Sequence, residues 1–419
     1  MKKTFSVVFL SVFILMTAFG GGSSESSGPA TLEVAVTFNG VQIDTFKEIV
    51  QAFTDETGIN VNIVEYGNDY ENTIKTRMAS NNLPDVFMTH GWSIARYKDY
   101  LLDLRDQPWV SEYLDAALGV IRDSDGAIYA LMTSHSASAT LVNIEVCEAA
   151  GVDPWSLHTW DDFEKACEKI KSAGYVPFGQ PAQATLLVSP MGTWVAYEGE
   201  EYDDAQAILD GTYDWESYRA VLEDYFAKWI ENGWFYDDIQ TMSSADISER
   251  FAANKSAFYI GNKATFIVGC QLLNPDGEYG FIPLPASTDE GKELVAIGEN
   301  DAFGIWKDSK HIEEAKEFLN FLARPENSSK LTSATGGMCS LSSAVPYDEG
   351  VGTELYQEML ENCSDHNILY DNLFDRKYMP NGMWQIFNNA AAMLFDDYSA
   401  AGIDATVSYL KENYQNLYE

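Results

Sequence analysis

The sequence predicts an α/β protein built from two packed sheets, and three observations lead there. At 419 residues the chain is longer than one hydrophobic core ordinarily serves and fits about two domains. Near its start a strand pattern, a helix pattern and a second strand pattern follow one another, which implies a parallel sheet with the helix packed against it. The same alternation of short apolar runs and helical periodicities returns further along the chain.

The elements can be taken in order. Leu32 to Val36 alternates as a strand does. Asp44 is placed to cap a helix on which Ile43, Phe46, Ile49, Val50 and Phe53 recur at helical spacing, and Gly58 suits the left-handed residue that ends it. Ile59, Val61 and Ile63 alternate with Asn60 and Asn62 as a second strand. A short helix around Ile74 and Met78 leads to a third strand, Pro84 to Met88. Two short apolar stretches, Tyr129–Leu131 and Ala139–Val142, flank a bridge rich in Ser and His. Thr159-x-x-Asp162 opens a helix carrying Phe163, Ala166, Cys167 and Ile170, which Gly174 ends. Ser244 is read as the cap of a helix through Ile247 and Phe251, followed by the strand Ala257–Ile260. Ser309 is read as the cap of another, through Ile312, Ala315, Phe318, Leu319 and Leu322, stopped by Pro325. Trp384 to Leu417 is largely helical, and no repeat of fixed period interrupts this order.

Composition narrows the function. Hydrophobic residues make up 46% and aromatic residues 13%, enough for burial and inconsistent with a disordered chain. The 64 acidic residues against 26 basic ones give a formal charge of −38. Such a field repels nucleic acid and anionic lipid, and with no run of Lys or Arg to counter it, a neutral ligand is favoured and a cationic one comes next. The five cysteines, Cys147, Cys167, Cys270, Cys339 and Cys363, contain no C-x-x-C pair. That spacing excludes zinc-ribbon and thioredoxin-type readings; one or two disulfides stay open, with burial as small hydrophobes the expected fate of most.

Residues 1–22 read as a secretion signal: Lys2 and Lys3 precede an apolar stretch from Phe5 to Met16 that is short for a membrane span. Leu15-Met16-Thr17-Ala18 followed by glycines and serines resembles a lipoprotein signal, but Phe19 stands where the lipid-bearing cysteine would be. Residues 23–30 are small and polar, as a flexible tether requires.

Several stretches together resemble the family-1 extracellular solute-binding proteins, the maltose-binding-protein-like sugar receptors. They are Phe53-x-x-Glu56-Thr57-Gly58-Ile59-x-Val61, Leu83-Pro84-Asp85-Val86-Phe87, Asp125-Gly126-Ala127-Ile128-Tyr129-Ala130-Leu131, and Asn143 to Pro154 followed by Thr159-Trp160-Asp161-Asp162-Phe163. Ser309-Lys310-x-x-Glu313-Glu314-Ala315-Lys316-Glu317-Phe318-Leu319 completes the set. The resemblance implies a type II-like clamp: two lobes, each a mostly parallel sheet flanked by helices, joined by hinge strands. Residues 31–135 with 299–338 would form the first lobe, and 136–298 with 339–419 the second. It further implies a monomeric binding component of an ABC transporter, exported to the periplasm or the outer face of the membrane. Such a protein captures a carbohydrate between the lobes, passes it to the membrane permease, and uses no cofactor, no metal and no catalytic residue.

A pyranose offers apolar faces and a rim of hydroxyls, so its site wants aromatic planes and hydrogen-bonding side chains. Residues just past strand ends supply both. Asn39 and Gln42 follow the first strand; His90, Gly91 and Trp92 follow the third, where the resemblance places ligand contacts. Ser136 lies on the first crossing, and Glu299, Asn300 and Asp301 on the return. In the second lobe the resemblance points to Trp194, Asn262, Asn381 and Trp384, whereas Trp155, Trp160, Trp215, Trp229 and Trp234 are assigned to structure. The five histidines are widely dispersed along the chain. Two rivals stay open: a secreted glycosidase, although G-x-S-x-G, H-E-x-x-H, G-x-G-x-x-G and Walker A motifs are absent, and a clamp whose cargo is a polyamine or another small solute.

Overall fold

The computed structural model describes residues 30–419 except 90–96, 115–116, 119–120, 124, 194–202, 264, 349, 373, 375–377, 381 and 419. The secretion signal and tether lie outside the described residues. Among the described residues ten strands form one hydrogen-bonded sheet: β1 Thr31–Val36, β2 Asn60–Glu65, β3 Val86–Thr89, β4 Leu131–Asn143, β5 Val176–Phe178, β6 Ser256–Lys263, β7 Tyr279–Ile282, β8 Glu293–Ile305, β9 Met338–Cys339 and β10 Ile368–Asn372. The main order is β2-β1-β3-β8-β4-β6-β5, with β10 on β8 and with β7 and β9 on β4.

The opening βαβ unit is as the sequence implies. β1 pairs β2 and β3 in parallel, and the helix Gly40–Thr57 buries Ile43, Phe46, Ile49, Val50 and Phe53. Gly58 ends it at φ 75°, a left-handed conformation that a side chain resists. The start differs from expectation. The helix begins four residues before Asp44, after Asn39, so Asp44 lies inside it. Glycine tolerates φ 50° at residue 40, which lets the chain turn into the helix directly from the strand end.

Asp85 is the fastening point of the first half. Its carboxylate accepts the Glu33 backbone N–H at 2.8 Å and the Ser309 hydroxyl at 2.6 Å. Ser309 accepts from the His311 backbone N–H, and the helix starts at Ile312 with His311 as its cap, so Ser309 ties the approach to the helix and does not cap it. Similarly, Ser243 and not Ser244 caps the helix Ser244–Ala252, because Asp246 completes a reciprocal capping box with it. Thr159 accepts from the Asp162 N–H as expected. The helix through Leu322 ends before Pro325 as expected, and Pro325 also opens the next one, Pro325–Thr335, where its missing N–H costs nothing. The C-terminal stretch is two helices, Met383–Asp396 and Ala400–Asn416.

The largest departure concerns β4. The Ser/His-rich bridge between two apolar stretches is one strand of 13 residues, all buried. β8, also 13 residues, runs antiparallel beside it. A chain that crosses and then returns must place its two crossings in opposite directions, so these strands break the parallel order and the sheet is mixed.

Core packing follows the two-residue period of the crossing strands. At the β4 start, Leu131 and Met132 join a core with β1, β3, Phe303 and Phe318. Phe46 stacks on Phe303 at 5.8 Å and Phe53 meets Phe318 edge-on at 5.1 Å. Further along, Ala137, Ala139 and Leu141 enter a cluster with Tyr259, Phe281, Val295 and Ile297. The alternate residues Val142, Phe258, Ile260, Ile282 and Leu294 enter another, with Trp160, Phe163 and Phe178. Each crossing strand therefore serves one core at one end and two at the other. Cys339, Leu341 and Ala344 pack in the first core, and the helix Val351–Asn362 packs in a second-half cluster through Leu355 and Met359; a third crossing thus lies between Ala344 and Val351. All five cysteines are free and buried.

Candidate ligand-binding site

The register defines where a ligand can sit. β3 ends at Thr89, paired with Ala302 on β8. β6 ends at Lys263, paired with Ser138 on β4, which itself faces Ala296 on β8. The carboxyl ends of β1 and β3 on one side and of β5 and β6 on the other therefore point toward the same stretch of crossing strand. From Ala296 to Ala302 is about 20 Å of extended chain. The fold makes a cleft floored by β4 and β8, the position that strand ends in α/β sheets reserve for ligands.

The floor is a built polar network. Asn300 is the extra residue of a bulge: Ser134 pairs Asp301 and His135 pairs Glu299. A bulge turns two successive side chains to one side, and both Asn300 and Asp301 reach Ser134. The Ser134 hydroxyl donates to Asp301 Oδ2 at 2.7 Å, and Asn300 Nδ2 donates to Ser134 Oγ at 3.2 Å and to Thr335 Oγ1 at 3.0 Å. Asn300 thereby links the return crossing to the helix Pro325–Thr335. His135 Nδ1 lies 3.2 Å from Ser340 Oγ. Burial lowers the His135 pKa to about 4, with the Asp348 charge opposing, so its ring is neutral at pH 7.

Of the residues singled out from the sequence, Ser136, Glu299, Asn300 and Asp301 come together on this floor, with Ser136, Glu299 and Asp301 buried and Asn300 half-buried. Ser136 donates to the Gly298 carbonyl at 3.5 Å. Asn39 is exposed and Gln42 half-buried at the start of the helix beyond β1. Phe38 beside them meets Phe303 at 6.1 Å, which brings this turn against the β8 end of the floor. Asn262 pairs with Ala139 just past a bulge at Gly261, whose φ is 69°. Trp384 stands on the first turn of the helix Met383–Asp396, 38% exposed. His90, Gly91, Trp92, Trp194 and Asn381 lie outside the described residues. The tryptophans assigned to structure behave so: Trp160, Trp215, Trp229 and Trp234 are buried, and Trp155 packs against the core.

The structure adds residues that the sequence reading passed over. Thr89 Oγ1, Gln180 Nε2 and Thr185 Oγ1 are buried with no hydrogen-bond partner among the described residues. Thr89 ends β3, and Gln180 and Thr185 follow β5. Gln180 Oε1 is fixed by the Ile260 N–H at 2.8 Å, and Gln183 donates to the Tyr259 hydroxyl at 2.9 Å. A buried unpaired donor costs about 1–3 kcal/mol, which a hydroxyl-bearing ligand would recover. β5 escaped notice because it has three residues with Pro177 in the middle, too short for a visible alternation.

His158 and His366, 208 positions apart and dispersed by any sequence measure, have ring centroids 3.9 Å apart, and the Glu293 carboxylate reaches Nδ1 of each. They sit at the start of β8, remote from the floor.

These features define a two-sided clamp with a polar floor. Residues 39–328 match the family model of bacterial extracellular solute-binding proteins, and the chain belongs to that family, one of solute-binding receptors. Among relatives, the melibiose/raffinose/stachyose-binding protein MelE of Bacillus subtilis is 29% identical over 413 residues, 95% of this chain and 93% of its own. Among solved structures, a binding protein of Bacillus subtilis in an open conformation superposes with a TM-score of 0.82 at 27% identity, covering 94% of this chain and 98% of that one. A sugar transporter of Bacillus licheniformis in complex with stachyose gives 0.77 at 27% identity, with 93% and 100% covered. The two-lobed α/β architecture is thus shared with them. Among the described residues no helix is long and apolar enough to cross a membrane.

Proposed function

We propose that this protein is the extracytoplasmic receptor of an ABC importer, which takes an oligosaccharide into the cleft above β4 and β8, hands it unchanged to the membrane permease and catalyses nothing. The observation that carries this is the match over 95% of the chain to a protein that binds melibiose, raffinose and stachyose. The cleft chemistry supports it: unpaired hydroxyl and amide groups at strand ends suit a hydroxyl-rich neutral guest, and the −38 charge disfavours an anionic one. The receptor acts as a monomer of two lobes; the expected break at 338 moves to after Ala344, because Cys339, Leu341 and Ala344 pack in the first core, so the first lobe is 31–135 with 299–344 and the second is 136–298 with the remainder. Export follows from the leader, and Phe19 offers no thiol for a lipid.

Ligand contacts are assigned to Asn39, Gln42, Asn262 and Trp384 beside the cleft, to Ser136, Glu299, Asn300 and Asp301 on its floor, and, on the family resemblance alone, to His90, Gly91, Trp92, Trp194 and Asn381. Closure over ligand brings the second set of walls into contact, so binding energy selects the closed form.

A thermal-shift screen with melibiose, raffinose, stachyose, arabinooligosaccharides, spermidine and amino acids tests this. A bound sugar must raise the melting temperature once it exceeds its dissociation constant, and it must be recovered unaltered. Trp92→Ala and Trp384→Ala should each weaken binding at least about tenfold, the loss of one aromatic platform, with unliganded melting nearly unchanged. A shift with spermidine alone, or conversion of the sugar, overturns the reading.

A further inference from the structure

The His158–Glu293–His366 cluster lies on the second half, roughly 23 Å of extended β8 from Asn300, and the sugar cleft has no use for it. Three chain segments meet there. Glu293 opens β8 and its N–H donates to the Asn367 carbonyl. His158 precedes the helix cap Thr159, and His366 precedes β10. Their ligand atoms all lie within 4.8 Å of one another.

The hydrogen bonding fixes which atoms face inward. His366 Nε2 lies 2.9 Å from the Trp155 carbonyl. A carbonyl only accepts, so Nε2 carries the proton and Nδ1 of the neutral ring presents a lone pair. That lone pair faces Glu293 Oε2 at 2.7 Å, and two acceptors so close require a shared proton or a metal ion between them. His158 Nδ1 stands 3.3 Å from the other carboxylate oxygen, Oε1. Glu293 is 1% exposed, and its Oε1 makes no hydrogen bond among the described residues.

We propose that His158 Nδ1, His366 Nδ1 and the Glu293 carboxylate form a structural binding site for a divalent transition-metal ion of zinc type. Two imidazoles and a carboxylate are a donor set that suits zinc. Bonds of about 2.0–2.1 Å in a tetrahedron put neighbouring ligand atoms about 3.3–3.4 Å apart; His158 Nδ1 already keeps 3.3 Å from Oε1, while His366 Nδ1, 2.7 Å from Oε2, has to draw back by about half an ångström as the ion enters. The Nε2–H of His366 on a backbone carbonyl is the outer contact that orients metal-bound imidazoles. A surface cleft of about 320 Å³ reaches Glu293 and His158 and is bordered by Asp162, Asp289 and Asp365; its negative walls draw a hydrated cation in, and water completes the coordination.

The ion would pin the 155–159 turn and the start of β8 to the turn before β10.

The full protein, purified without a polyhistidine tag and stripped with chelator, is titrated with zinc chloride against a chromogenic chelator. One zinc per chain, a raised melting temperature and an X-ray absorption spectrum of nitrogen and oxygen ligands with two imidazoles are expected. His158→Gln replaces a side chain that is 46% exposed in the native protein; it should melt as wild type in chelator yet bind zinc at least about tenfold more weakly, since even the loss of a group that merely orients a metal ligand costs that much. No zinc uptake by wild type, equal uptake by His158→Gln, or sulfur in the coordination sphere overturns the site. The spectrum decides the matter should the variant not fold.

Discussion

Replacing His135 with glutamine probes how dry the clamp floor is. The native imidazole titrates near pH 4 because burial disfavours its charge, against 6.5 for an ordinary histidine. The unfolded chain therefore takes up this proton first. Stability is whole above pH 6.5, falls as pH drops toward 4, and levels off below. With one pKa unit worth about 1.36 kcal/mol, the histidine costs the native state about 0.2 kcal/mol at pH 7 and about 2 kcal/mol at pH 5, approaching about 3.4 kcal/mol at still lower pH. The carboxylates titrate alike in both proteins and cancel in the comparison. Urea unfolding of wild type and His135→Gln at pH 7 and pH 5 should show the wild type losing about 2 kcal/mol more than the variant. An NMR titration of the imidazole should find its midpoint near 4. Equal pH slopes in the two proteins, or a midpoint near 6.5, would refute a desolvated floor.

Two further substitutions address the parts that hold the clamp. Gly261→Ala places a methyl where φ is 69° and a Cβ would lie 1.9 Å from Ser189 Oγ. It should lower the melting temperature through about 1–3 kcal/mol of backbone strain plus the clash and weaken sugar binding by displacing the helix Thr185–Met191, with Ser189→Gly restoring only the steric share. Phe46→Ala removes the ring stacked on Phe303 and edge-on to Phe38 and Phe318; a loss of about 3–5 kcal/mol in urea unfolding is expected, and a loss under 1 kcal/mol would mean that the first core collapses around the gap.

Much of the fold was legible because its signals are local. Ile43, Phe46, Ile49, Val50 and Phe53 mark one helix face wherever that helix docks, and Gly58 marks its end by the one conformation glycine tolerates best. The cap read at Ser244 is Ser243, because a cap is defined by which N–H the hydroxyl meets and not by spelling alone. The order of these segments also carried the family, and with it the expectation of a clamp.

The crossing strands and the sites were decided by the tertiary structure. Thr133 to Ser138 are polar except for Ala137, and periodicity reads such a run as a connection; they form a strand because Glu299, Asp301 and Met338 arrive from far along the chain to pair with them. β5 exists only because β6 lies beside it. His158, Glu293 and His366 carry no shared spacing, yet the second half closes all three onto one point. Local sequence fixes dihedral preferences and apolar faces, whose energies act over a few residues. Pairing, hinge position and convergent polar groups depend on contacts between distant segments, and those take shape only when the cores are packed.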